Sequence, residues 1–143
     1  MRQGRKDRRG FTIVEVMAVV IIIGLLAAIV VKNFVGQVDK AKVKTTQASL
    51  KSLDELIMQF KMDTGRYPTE DEGLLALMEQ PADVQEWPEG GYIRSKNLPK
   101  DAWGNEFLYV RYAEDAPYDI MSFGADGQEG GEGYDADLHS SDL

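Results

Sequence analysis

Residues 10–33 read GFTIVEVMAVVIIIGLLAAIVVKN, and every side chain from Val16 to Val31 is apolar. A helix over the 21 residues from Phe11 to Val31 rises ~30 Å at ~1.5 Å per residue, the hydrocarbon thickness of a bilayer. A helix that is apolar on all sides must be wrapped by a large core or by lipid. Nothing else in a chain of 143 residues is large enough to wrap it, so the stretch reads as a transmembrane helix. Lys32 and Asn33 close the run on one side. On the other, residues 1–10 hold five basic residues (Arg2, Arg5, Lys6, Arg8, Arg9) and one acid, Asp7. That bias keeps the leader cytoplasmic and sends the C-terminal part across the membrane. A secretory signal would place a small-x-small cleavage site after its apolar core. Here Lys32-Asn33-Phe34-Val35-Gly36 follows, so the apolar segment is expected to stay in the mature protein.

The rest of the chain is acidic. The net charge is −8, although residues 1–10 are basic, because residues 11–143 carry 11 Lys and Arg against 23 Asp and Glu. Residues 113–143 contain nine acids and no Lys or Arg. Such a surface repels phosphates, which argues against a nucleic-acid partner. With no cysteine, a disulfide-stapled secreted fold is excluded.

Beyond the apolar run, residues 38–62 read VDKAKVKTTQASLKSLDELIMQFKM, with Val43, Leu50, Leu53, Ile57 and Phe60 at helical spacing and no proline. This stripe predicts a helix almost unbroken from Phe11 to about Met62, with Thr45, Thr46 and Ser49 on its solvated face. Gly65 and Pro68 end it. Thr69-Glu70-Asp71-Glu72 has the form of a capping box and opens a short helix carrying Leu74, Leu75, Leu77 and Met78. Pro81 and Pro88-Glu89-Gly90-Gly91 mark a loop. Tyr92–Arg94, Glu106–Tyr112 and Tyr118–Phe123 are expected strands, the last two joined as an antiparallel hairpin through Asp115-Ala116-Pro117. The fold class is α+β. A long N-terminal helix, half transmembrane and half amphipathic, packs on a small antiparallel sheet that ends in an acidic loop.

Glu15 is the only charge between Phe11 and Val31. An unpaired carboxylate at membrane depth costs ~3 kcal/mol or more, unless it snorkels to water near the helix end. It follows Phe11 by four residues, on the same helical face. A cut between Gly10 and Phe11 would create a positive α-amine able to pair with it. The string Gly10-Phe11-Thr12-Ile13-Val14-Glu15, after a basic leader and before a long apolar run, resembles the class III signal of type IV pilins and pseudopilins. That resemblance implies cleavage after Gly10 by a membrane prepilin peptidase and N-methylation of Phe11. It further implies that Glu15 neutralises the Phe11 amine of an adjacent subunit during filament assembly. Many relatives carry a proline at the position of Lys32, so no kink is inferred here.

The resemblance narrows further along. GRYPTEDEGLLAL, GGYIRSKNLP, DAWGNEF and DIMSFGADGQEGGEGYDADL are similar to the major pseudopilins of type II secretion systems, pilin-like proteins. Three segments follow: residues 1–10 as a cleaved cytoplasmic leader, 11–35 as the transmembrane and filament-core helix, and 36–143 as a periplasmic globular domain. The implied function is that of a non-enzymatic subunit that polymerises into a helical periplasmic pseudopilus driving export of folded proteins across the outer membrane. The implied partners are further copies of the chain, minor pseudopilins, the prepilin peptidase and the inner-membrane assembly platform. A type IV pilin or minor pseudopilin is the alternative, although type IV major pilins usually end in a disulfide-bounded loop that this chain cannot make. A membrane-anchored periplasmic enzyme is more distant, since His139 has no nucleophile pattern around it and reads as a surface residue.

Asp126, Glu129, Glu132, Asp135 and Asp137 lie within twelve residues and without a cation. Such crowding is destabilising unless the acids are solvated or share an ion. Two readings stay open from the residues: a solvated acidic tail, or a Ca²⁺ loop in which glycines turn carbonyls inward. Zn²⁺ and EF-hand readings lack their ligand patterns. The resemblance favours structural Ca²⁺, with Asp126 and Asp137 as side-chain ligands, Asp135 next, and the backbone carbonyls of Phe123 and Gln128 completing the shell.

Overall fold

A computed structural model describes residues 10–112 and 117–143. Of the expected leader, residues 1–10, all but Gly10 lies outside the described residues, as do Asp115 and Ala116 of the expected turn Asp115-Ala116-Pro117. The chain divides into two units, Met1–Val38 and Asp39–Leu143. One helix, α1, spans Ile13–Thr64, 52 residues. In the first unit its apolar side chains from Ile13 to Val31 stand exposed, and among the described residues it is the one helix long and apolar enough to cross a membrane.

In the second unit α1 buries Thr46, Leu50, Leu53, Ile57 and Phe60, a continuous stripe with steps of three and four. Thr46, expected on the solvated face, is fully buried. It sits one turn before Leu50, and its hydroxyl accepts the Ala102 N–H at 3.1 Å. This bond supplies what a buried polar atom requires. Gly65, with φ +79°, ends α1 by donating to Lys61 O at 2.8 Å, a left-handed C-terminal cap that favours glycine.

Thr69 and Glu72 close the expected box. Thr69 N donates to Glu72 Oε2 at 2.8 Å and Glu72 N to Thr69 Oγ1 at 3.2 Å. The element that follows is a 3-10 helix, Gly73–Leu77, which buries Leu74, Ala76 and Leu77 and leaves Leu75 exposed. Arg66 staples this region, its guanidinium donating to both Glu72 carboxylate oxygens and both Asp83 oxygens at 2.6–2.9 Å.

Tyr92–Arg94 is not a strand. The Tyr92 and Ile93 N–H groups both donate to Leu77 O, at 2.9 and 3.0 Å, so the segment hangs on the end of the 3-10 helix. Gly91 permits this: at φ +76° a Cβ there would lie 3.0 Å from Leu77 O.

The sheet has three antiparallel strands in the order β1-β2-β3: β1 Leu108–Val110, β2 Asp119–Ser122 and β3 Leu138–His139. Tyr109 pairs with Ile120, and Met121 with His139. β1 and β2 occupy the middles of the two longer strands expected from the sequence. β3, two residues long, falls where the sequence predicts no strand. The core joins α1 to this sheet: Phe60 meets Trp87 edge-on and Tyr92 at a tilt, and Tyr118 packs between Tyr67 and Tyr109.

Candidate functional site

Two places carry the sequence-derived functional residues, one in each unit. In the first, Thr12 N donates to Glu15 Oε2 at 2.8 Å, and the Thr12 hydroxyl donates to the same oxygen at 3.1 Å. Glu15 N returns a bond to Thr12 Oγ1 at 3.2 Å. Thr12 and Glu15 therefore form a capping box, satisfying orphan N–H groups of α1 and placing a negative charge at its positive end. The T-x-x-E spacing at residues 12–15 is the same signal that marks Thr69 and Glu72, and it gives Glu15 a capping role beside the amine and the water weighed for it from sequence. Among the described residues Glu15 Oε1 accepts no hydrogen bond, so the carboxylate keeps capacity for a second partner. Gly10 and Phe11 are exposed ahead of the helix.

In the second unit, residues 123–137 form a closed loop. Gly127 N donates to Phe123 O at 3.2 Å, Ala125 N to Tyr134 O at 2.9 Å and Asp135 N to Glu132 O at 3.2 Å. The two arms touch: a Cβ on Gly124 would lie 2.8 Å, and one on Gly131 2.5 Å, from the Asp135 main chain. Asp126 Oδ1 accepts Gln128 N at 3.1 Å, and Asp137 Oδ2 accepts Gly130 N at 2.9 Å. Asp126 and Asp135 are exposed. Asp137 differs, because its Oδ1 is buried and has no hydrogen-bond partner. A buried carboxylate oxygen without a donor is costly unless a positive charge compensates it. Among the described residues no three acidic or imidazole groups converge into a metal cluster. A cation here would draw on main-chain carbonyls as well as side chains, which suits Ca²⁺, a hard ion that accepts six to eight oxygens in flexible geometry.

The loop is moored to the turn at residues 101–105. Asn105 Nδ2 donates to Gly124 O at 3.0 Å, and Gly127 packs against the same side chain, where a Cβ would lie 3.2 Å from Asn105 Oδ1. Asp101 is buried. Its Oδ1 accepts Trp103 N at 3.0 Å and Asn105 N at 2.8 Å, and its Oδ2 accepts the Ser122 hydroxyl at 2.7 Å.

His139 is not the surface residue it was expected to be. Its Nδ1 lies 2.7 Å from Asp119 Oδ2, and the Ser140 hydroxyl donates to Asp119 Oδ1 at 2.9 Å. Asp, His and Ser together suggest hydrolysis, but here the serine bonds the aspartate and not the imidazole. No base is set to activate it. The trio is a tether that pins the C-terminus to the buried Asp119 on β2.

Burial pushes the Asp119 carboxyl upward, but the bonds from His139, Ser140 and Ser141 outweigh it and hold the group below the usual range. The bond from Arg66 similarly lowers Glu72, against burial and with help from Thr69. A carboxyl lowered in the folded state contributes stability above its ordinary value of about 4 and loses it as pH falls through the lowered value. The melting temperature should therefore drop below about pH 4, and Glu72→Gln should make the fall shallower. An unchanged acid profile in that variant would show that the Glu72–Arg66 bond contributes nothing.

A long helix with an exposed apolar start and a buried second face, carrying a three-stranded sheet and an acidic loop, defines the pilin-like class of filament subunits. The family model for "Type II secretion system (T2SS), protein G" matches residues 33–141, and that for the prokaryotic N-terminal methylation motif matches residues 5–31. The type II secretion system core protein G of Vibrio cholerae serotype O1 is 43% identical over 140 residues, covering 96% of this chain and 94% of the relative. That of Pseudomonas aeruginosa is 38% identical over 141 residues, covering 96% and 98%. The crystal structure of the major pseudopilin from the type 2 secretion system of enterohaemorrhagic Escherichia coli is similar at a TM-score of 0.64. It has 30% identity and covers 78% of this chain and 96% of that one. The chain belongs to the type II secretion system protein G family.

Proposed function

We propose that the chain is the polymerising subunit of a type II secretion pseudopilus and acts mechanically, without catalysis. Residues 1–10 are a cytoplasmic leader removed after Gly10 by a prepilin peptidase, and the new Phe11 amine is then methylated. Residues 11–35 anchor the protein in the inner membrane and become the filament core, while the globular part lies in the periplasm. Copies then stack into a helical fibre on the inner-membrane assembly platform, with minor pseudopilins as partners, and the fibre moves folded proteins across the outer membrane. Glu15 neutralises the Phe11 amine of the neighbouring copy. Asp126, Asp137 and Asp135, with the Phe123 and Gln128 carbonyls, hold a structural Ca²⁺, whose charge offsets the crowded acids when bound.

The observation that carries this reading is α1 itself, one helix whose exposed stretch Ile13–Val31 is apolar except for Glu15 at its entry and whose later turns line a domain core. Lipid satisfies the first half in the monomer, and neighbouring helices satisfy it in a fibre. Mass spectrometry of the protein isolated from its native membrane tests the processing step. A chain beginning at methylated Phe11 is expected, and an intact Met1 in assembled material would overturn it.

A further inference from the structure

We infer that Asn105 is the positioning residue of the acidic loop: through its side-chain amide it sets the Gly124 main chain and so fixes the arm that carries Phe123 and Asp126. This rests on the Ca²⁺ reading of that loop. Between Phe123 and Asp137 the loop is held mostly by its own bonds, and an arm built on glycines has wide conformational freedom. Asn105 is an external fixture of this arm. It donates to Gly124 O, and it walls off Gly127 on the opposite side of Asp126. Two residues on either side of a candidate ligand are thus set by one side chain.

Asn105 is itself held. Asp101 Oδ1 accepts its N–H, while Asp101 Oδ2 is anchored to Ser122 at the end of β2. The chain of bonds runs from β2 through Asp101 and Asn105 to the loop, so the sheet dictates where the arm lies. Outer partners of this type orient metal ligands, and their loss typically costs ~10–100-fold in metal affinity.

The test uses the full chain in detergent, titrated with CaCl₂ by calorimetry, with melting measured in chelator and in excess calcium. Asn105→Ala is expected to weaken calcium binding by at least ~10-fold while its melting temperature in chelator stays close to that of the unaltered chain. Thr46→Val is the comparison, because it strips the partner from Ala102 N on the same turn without touching the loop. It should lower the melting temperature in chelator and leave calcium affinity unchanged. Calcium affinity unchanged in Asn105→Ala would overturn the inference while leaving the calcium reading intact. A fall in chelator as large as that in calcium would likewise reduce Asn105 to a stabilising contact. Absence of calcium binding by the unaltered chain would sink both.

Discussion

Glu15→Leu is expected to insert, to be cleaved after Gly10, and to yield almost no filament. The capping box gives the carboxylate one task and the proposed pairing gives it another, and their magnitudes differ. Losing a cap costs about 1 kcal/mol of helix stability, a small loss for a helix of 52 residues. Losing the partner of a buried charge costs about 3–5 kcal/mol. In a fibre that penalty would recur at every subunit, so each addition would weaken by more than ~100-fold. Insertion should improve slightly, since a charge leaves the apolar segment.

Two further variants separate the tasks. Glu15→Gln keeps an oxygen for the Thr12 N–H but has no charge, and Thr12→Ala removes the hydroxyl that Glu15 both accepts from and donates to. If pairing governs assembly, the glutamine chain fails like the leucine chain and the Thr12 variant retains most of its fibres. Filaments sheared from cells and quantified by immunoblot give the readout. Abundant fibres from Glu15→Gln would leave Glu15 as a helix cap only.

The contrast between what was legible and what was not follows from range. The helix expected from Phe11 to about Met62 is observed as Ile13–Thr64, because an apolar run and a three-four stripe are local signals that no proline interrupts. The Gly65 stop and the Thr69–Glu72 box are equally local. β3 is two residues long and exists through pairing with Met121 and Ser122 and through the Asp119–His139 contact, all of it distant in sequence. Thr46 looked solvated because hydroxyls usually are; its partner, Ala102, is 56 residues away. Tyr92–Arg94 has strand-like composition, yet Gly91 lets it approach Leu77 O and bond there instead. The acidic loop announced itself through composition. Its mooring to Asn105 did not, since an isolated asparagine 19 residues before Gly124 carries no pattern.

Chelation should lower the melting temperature by on the order of 10 °C, and Asp137→Asn should reverse the ranking of the two chains between calcium and chelator. An ion present at about 100 times its dissociation constant stabilises the state that binds it by about 2.7 kcal/mol. For a unit the size of Asp39–Leu143, each kcal/mol moves the melting temperature by roughly 4–8 °C. The crossing comes from Asp137 Oδ1, the buried oxygen without a donor. With calcium, that oxygen is neutralised, and replacing the carboxylate removes a ligand charge and lowers affinity. Without calcium, the same carboxylate keeps one buried oxygen that no donor satisfies. Asparagine retains an oxygen for Gly130 N and sheds the charge, so the variant should melt at the same or a higher temperature than the unaltered chain in chelator. In calcium it should melt lower. Parallel curves, with the variant less stable by an equal amount in both conditions, would mean that Asp137 contributes only its bond to Gly130 and that the loop is an acidic tail closed by glycines.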